Sequence, residues 1–93
     1  MDIEHARIVM RDFIASLNAK GSDQVRETGS EERIDGAWVF HYNSAEYLDT
    51  SVFETQLVGQ GPILILDDGS ILEGGSAERP HDVLRRYGRS TQP

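Results

Sequence analysis

Residues 37–43 read Ala-Trp-Val-Phe-His-Tyr-Asn, and their strict alternation constrains the chain more than any other segment. Successive side chains of a strand point to opposite faces. Trp38, Phe40 and Tyr42 therefore share one side, and Ala37, Val39 and His41 the other. A strand with three aromatic rings on one face has to bury that face. The preceding segment supplies the cover. Ile3, Ala6, Met10, Phe13, Ile14 and Leu17 recur at three- and four-residue spacing, with Val9 widening the stripe, which predicts an amphipathic helix over residues 3–19. That helix is about 25 Å long and a seven-residue strand about 23 Å, so one helix covers the strand and its neighbours. Asp2 stands at the N-cap position, and Gly21 where a left-handed C-terminal residue belongs.

The remaining segments extend the strand into a sheet. Residues 24–33 are polar, with Val25 and then Ile34 the strongly apolar positions, which suits an edge strand. Asp35-Gly36 signals a hairpin turn directly before the tryptophan. A turn at Gly29-Ser30 is the alternative, and both give the central strand the same partner. Residues 44–58 form a connection with a short helical turn, anchored on the core by Tyr47, Leu48, Val52, Phe53 and Leu57. Its length is above the usual range for a loop, which makes it either a functional segment or a covering flap. Gly59-Gln60-Gly61-Pro62 leads into a strand over residues 62–66, whose run from Ile63 to Leu66 is apolar throughout and suits cover on both faces. Pro62 lacks an N–H for the ladder and belongs at the start of that strand. Asp67-Asp68-Gly69-Ser70 is a second hairpin signal, followed by a strand over residues 70–73. Pro80 opens a final helix over residues 80–87, with Val83, Leu84 and Tyr87 as its buried stripe, and residues 89–93 fray. The expectation is an α+β domain over residues 1–93: a small antiparallel sheet of about four strands covered by the N-terminal helix, with a short C-terminal helix. Phe13, Leu17, Trp38, Phe40, Ile63 and Ile65 are its expected core.

Composition narrows the function by exclusion. No apolar run approaches the roughly 20 residues that span a bilayer, and no secretory pattern opens the chain. Cysteine is absent, which removes disulfides, thiolate metal sites and thiol nucleophiles. His5, His41 and His81 never stand at ligand spacing. Asp67-Asp68-Gly69 lacks the alternating acids and closing glutamate of a calcium loop. Gly59-Gln60-Gly61-Pro62 precedes a strand, whereas a phosphate-cradling loop precedes a helix. No G-x-S-x-G elbow occurs, and no acid–base pair stands out among the carboxylates. The reading is a non-enzymatic protein without metal or cofactor.

Charge points to a partner class. The formal net charge is −7, and residues 27–73 hold ten acids against one base, Arg33. Such a field repels phosphate backbones and would steer a basic protein; the plain alternative is that acidic surface simply keeps the domain soluble.

The order of motifs resembles a known family. Gly36-Ala37-Trp38-Val39-Phe40, Tyr42-Asn43-Ser44, Glu46-Tyr47-Leu48, Gly59-Gln60-Gly61-Pro62, Asp68-Gly69 and Gly74 to Pro80 follow one another as in the immunity protein 35 (YrhB-like) family of bacterial polymorphic toxin systems. Ala37 stands between glycine and tryptophan where the family usually has them adjacent, and Thr50-Ser51-Val52 replaces a common Thr-Gly-Asp. The resemblance implies a cytoplasmic protein that binds and neutralises a cognate toxin. The acidic middle would suit a basic toxin domain such as a nuclease, with the acids around the two turns, Glu31, Glu32, Asp35, Asp67 and Asp68, as the candidate contact residues. A small chaperone-like or regulatory binding module is the alternative, and the oligomeric state stays open.

Overall fold

The computed structural model describes residues 1–21, 24–57 and 60–88. The frayed tail expected over residues 89–93, and Val58 and Gly59 of the central connection, lie outside the described residues. The elements run α1 (Ile3–Lys20), β1 (Val25–Ile34), β2 (Ala37–Ser44), α2 (Ala45–Thr50), a 3₁₀ turn (Phe53–Thr55), β3 (Gln60–Leu66), β4 (Ile71–Gly75) and α3 (Pro80–Arg86). The four strands form one antiparallel sheet in the order β1-β2-β3-β4, and with the helices this is an α+β fold.

Alternation in the strands sends apolar side chains to both faces, and a helix seals each. On one face Phe40, Ile63 and Ile65 pack with Ala6 and Met10 of α1. On the other, Ala37, Val39, Leu64, Leu66 and Leu72 pack with Val83 and Leu84 of α3. β3 is buried on both sides, as its apolar run demands. The seven residues of α3 thus form the second cover of the sheet. Tyr87, expected in its buried stripe, lies 46% exposed beyond the last turn.

The aromatic face of β2 meets α1, with a gradient of burial along it. Phe40 is buried, while Trp38, Phe13 and Leu17 are half-buried. An 18-residue helix is about 27 Å long and its end turns reach the rim of the sheet, so residues there are covered on one side only. Trp38 lies under the start of α1, where its Nε1–H donates to the Met1 carbonyl at 2.9 Å. Leu17 sits in the last turn. Phe13 meets Tyr42 edge-on, with ring centroids 6.4 Å apart.

Local signals at the helix termini and strand ends were partly overridden. Asp2 caps α1 by accepting from the His5 N–H at 2.9 Å. Gly21 is extended (φ −100°, ψ 163°) instead of left-handed. The junction is instead closed by Asn18, whose side chain accepts from Val25 N–H at 2.7 Å and donates to its carbonyl at 3.1 Å. Asp35-Gly36 makes the first turn. Gly29 (φ +95°) serves a bulge between Glu27 and Glu31, so the alternative turn at Gly29-Ser30 is not used. Pro62 lies inside β3, which begins at Gln60, and the register with β4 shifts between Gln60 and Ile63. A bulge accommodates the missing N–H there.

Both free edges of the sheet are blunted. β1 carries its bulge and four charged residues between Arg26 and Arg33 on exposed positions. On β4 the Glu73 carbonyl is taken by Arg86 Nη2 at 3.0 Å, while Arg86 also grips Glu78 at 2.7 and 2.9 Å.

Candidate functional site

The five candidate acids divide into one group and two separate residues. The Asp67 N–H donates to the Gly36 carbonyl at 2.9 Å, which sets the two hairpin turns side by side. Asp35, Asp67 and Asp68 therefore share one end of the sheet. Glu31 pairs in register with Phe40 and lies on the α1 face; Glu32 pairs with Val39 and lies on the α3 face.

Bases from elsewhere in the chain hold two of these acids. Arg33 donates to both oxygens of Asp67 at 2.9 Å each, and the Met1 ammonium reaches Oδ1 at 3.1 Å. Arg33, and secondly that ammonium, pull the Asp67 carboxyl down from 3.8 to about 2. Arg7 grips Glu31 with Nε and Nη2, both at 2.8 Å, and holds its carboxyl below the ordinary range. Asp68 works in its own turn, accepting from Ser70 N–H at 2.9 Å. Two further acids of the middle segment are drawn in. Glu27 is half-buried beside Glu31, and burial first, then that neighbour, push its carboxyl up. Asp49 takes Arg26 Nη2 at 2.6 Å.

A second surface lies on the connection over residues 44–58, whose length marks it as a functional segment or a covering flap. Val52 and Phe53, expected as core anchors, are 45% and 76% exposed, and Phe53 is the most exposed large apolar residue described. They cap the corner between α2 and the 3₁₀ turn. Beside them lies a cleft of about 270 Å³ lined by Ser44, Glu46, Glu54, Thr55, Gln56 and Leu57. Side-chain-to-backbone bonds fix the corner. Asn43 Oδ1 accepts from Ser44 N–H at 2.7 Å and Leu57 N–H at 2.8 Å. Ser44 Oγ caps α2 at Tyr47 N–H, Thr50 Oγ1 accepts from Val52 N–H, and Thr55 Oγ1 donates to the Val52 carbonyl. Ser51 ends α2 with φ +60°, the one non-glycine residue of positive φ among those described. The available signal was Thr50, Ser51 and Thr55 bracketing Val52-Phe53. Such residues favour local bonds that hold a chain in a turn.

The family model for immunity protein 35 matches residues 11–89. The chain belongs to the immunity protein 35 family. Within this family member the match runs from the third turn of α1 past the end of α3, so it takes in the whole sheet. An immunity role fits that membership. Comparison with curated proteins and with solved structures found no match. Among the described residues no three His, Cys, Asp or Glu side chains gather as metal ligands, and no helix is long and apolar enough to cross a membrane.

Proposed function

We propose that this immunity protein 35 family member binds and neutralises a cognate bacterial toxin in the cytoplasm, with no catalysis of its own. The observation that carries the reading is the family match over residues 11–89. Two physical features support it. Among the described residues every buried side-chain nitrogen and oxygen has a hydrogen-bond partner, as suits a scaffold that presents a preformed surface. The net charge of −7 favours encounter with a basic protein and disfavours nucleic acid. Glu31, Glu32, Asp35, Asp67 and Asp68 contribute to that attraction, Arg7 and Arg33 offsetting part of it.

The test is co-expression with the toxin domain encoded beside the chain's gene. Restored growth and a stoichiometric complex are expected. Absence of both would overturn the reading, and recovery of many unfolded clients instead would favour a small chaperone-like module. Charge reversal at the five acids should weaken neutralisation and flatten its salt dependence. An unchanged salt dependence would remove those acids from the contact.

A further inference from the structure

Phe53 sits 76% exposed on a 3₁₀ turn, with Val52 beside it at 45%. Scattered apolar residues are ordinary on a surface. This pair differs because local bonds hold it there. Thr50 and Thr55 fasten the Val52 backbone on both sides, and Asn43 ties Leu57 back to the end of β2. A backbone already fastened at Val52 loses little further freedom when a partner covers the ring it presents. That is the property of an interface anchor.

The adjoining cleft says what kind of partner fits. Glu46 and Glu54 line it together with the polar Ser44, Thr55 and Gln56 and the apolar Leu57, and no lysine or arginine is among the lining residues. Among the described residues neither Glu46 nor Glu54 forms an ion pair; the nearby Arg26 is engaged by Asp49 at 2.6 Å. A long basic side chain matches this lining, its methylenes against Leu57 and its charged head between the carboxylates. Nine bases against sixteen acids leave the chain with few cations of its own to supply.

We propose that this corner is the toxin-recognition anchor: Phe53, flanked by Val52, enters an apolar pocket of a basic toxin domain, and an arginine or lysine of that domain occupies the cleft between Glu46 and Glu54. The proposal rests on the immunity reading and assigns its binding energy to a different surface from the acidic turns. Those turns steer the encounter; the corner holds the complex.

The experiment titrates the toxin domain encoded beside the gene, in catalytically inactivated form, into the full chain by calorimetry. Phe53→Ala, Glu46→Gln with Glu54→Gln, and Asp35→Asn with Asp68→Asn are compared. Exposure of Phe53 predicts an unfolding midpoint for Phe53→Ala equal to that of the parent chain. The expected result is at least a 30-fold loss of affinity for Phe53→Ala. The Glu46/Glu54 double variant should lose about tenfold, with a shallower salt dependence. In stopped-flow mixing of the same proteins, the Asp35/Asp68 pair should lower the association rate and leave dissociation unchanged. Parent-strength binding by Phe53→Ala overturns the corner and leaves the immunity reading standing. No binding by the parent chain overturns both. If Phe53→Ala keeps its toxin affinity but abolishes self-association in sedimentation, the corner is an interface between two copies, and the proposal is wrong.

Discussion

Arg33 and Asp67 are joined by two parallel N–H···O bonds of 2.9 Å each, linking the edge strand β1 to the turn after β3 across the width of β2. The same guanidinium lies 5.1 Å from the centre of the Trp38 ring, so one side chain ties the first hairpin to the second and covers the tryptophan. Asp67 sits at about 2, below its ordinary 3.8, through Arg33 and the Met1 ammonium. A depressed carboxylate stabilises the fold fully above the ordinary value, and that contribution is lost as pH falls through the folded one.

Asp67→Asn should therefore unfold more easily than the parent chain at neutral pH. The gap should narrow from about pH 4 downward and close near pH 2. Urea midpoints across that range measure it. Both partners are about two-fifths exposed, so added salt should shrink the gap as well. A gap that persists unchanged at pH 2 would show that the lost charge pair is not its cause.

The glycines separate two kinds of backbone requirement. A Cβ at Gly61 would run into the backbone carbonyl of Gly75 across the β3–β4 ladder, where neither strand can yield cheaply. Gly61→Ala should cost about 3 kcal/mol or more. A Cβ at Gly29 meets nothing within 4 Å, and only its φ of +95° resists substitution. Gly29→Ala should cost about 1–2 kcal/mol. Chemical denaturation of the two variants checks the order, and equal costs would contradict the close approach at Gly61.

Along the aromatic face of β2 the cost of truncation should follow burial. Phe40, sealed between α1 and β3, should lose about 3–5 kcal/mol on change to alanine. Trp38 is half-covered, and Trp38→Ala should cost less even though it forfeits the bond to the Met1 carbonyl and the contact with Arg33. If Trp38→Ala proves the more damaging, the rim contacts outweigh the buried ring area.

What was legible in the sequence depended on how local its cause was. The Asp35-Gly36 and Asp67-to-Ser70 turns, the Asp2 cap and the Pro80 start are each set within four residues, and they read correctly. The polar edge strand and the two-faced apolar run of β3 read from alternation alone. Gly21 misled because a side chain, and not a left-handed residue, joins α1 to β1: Asn18 binds both backbone groups of Val25. Val52 and Phe53 misled because apolar type was taken to mean burial, whereas threonine bonds hold them outside. At the candidate acidic surface, Arg7 reaches Glu31 over 24 residues and Arg33 reaches Asp67 over 34. No spacing rule shows such pairs, so the charge of the middle segment looked less compensated than the fold makes it.

Glu27 gives the opposite pH signature to Asp67. It lies half-buried on β1 beside Glu31, and burial first, then that neighbour, raise its carboxyl above the ordinary 4.5, against the opposing pull of Arg11 and Arg7. A raised carboxylate binds its proton more tightly in the folded chain than in the unfolded one. Ionising it therefore lowers stability as pH rises from the ordinary value through the raised one. Glu27→Gln keeps the shape and removes the charge, so it should be more stable than the parent chain at pH 7 and equal to it below pH 4. Thermal midpoints at those two pH values test this, and a destabilised variant at pH 7 would mean that attraction to Arg7 and Arg11 exceeds the cost of burying the charge. Combined with Asp67→Asn, the two effects should add, because each residue has its own set of partners. The double variant would then show a flatter acid limb than the parent chain without a loss of stability at neutral pH equal to that of Asp67→Asn alone.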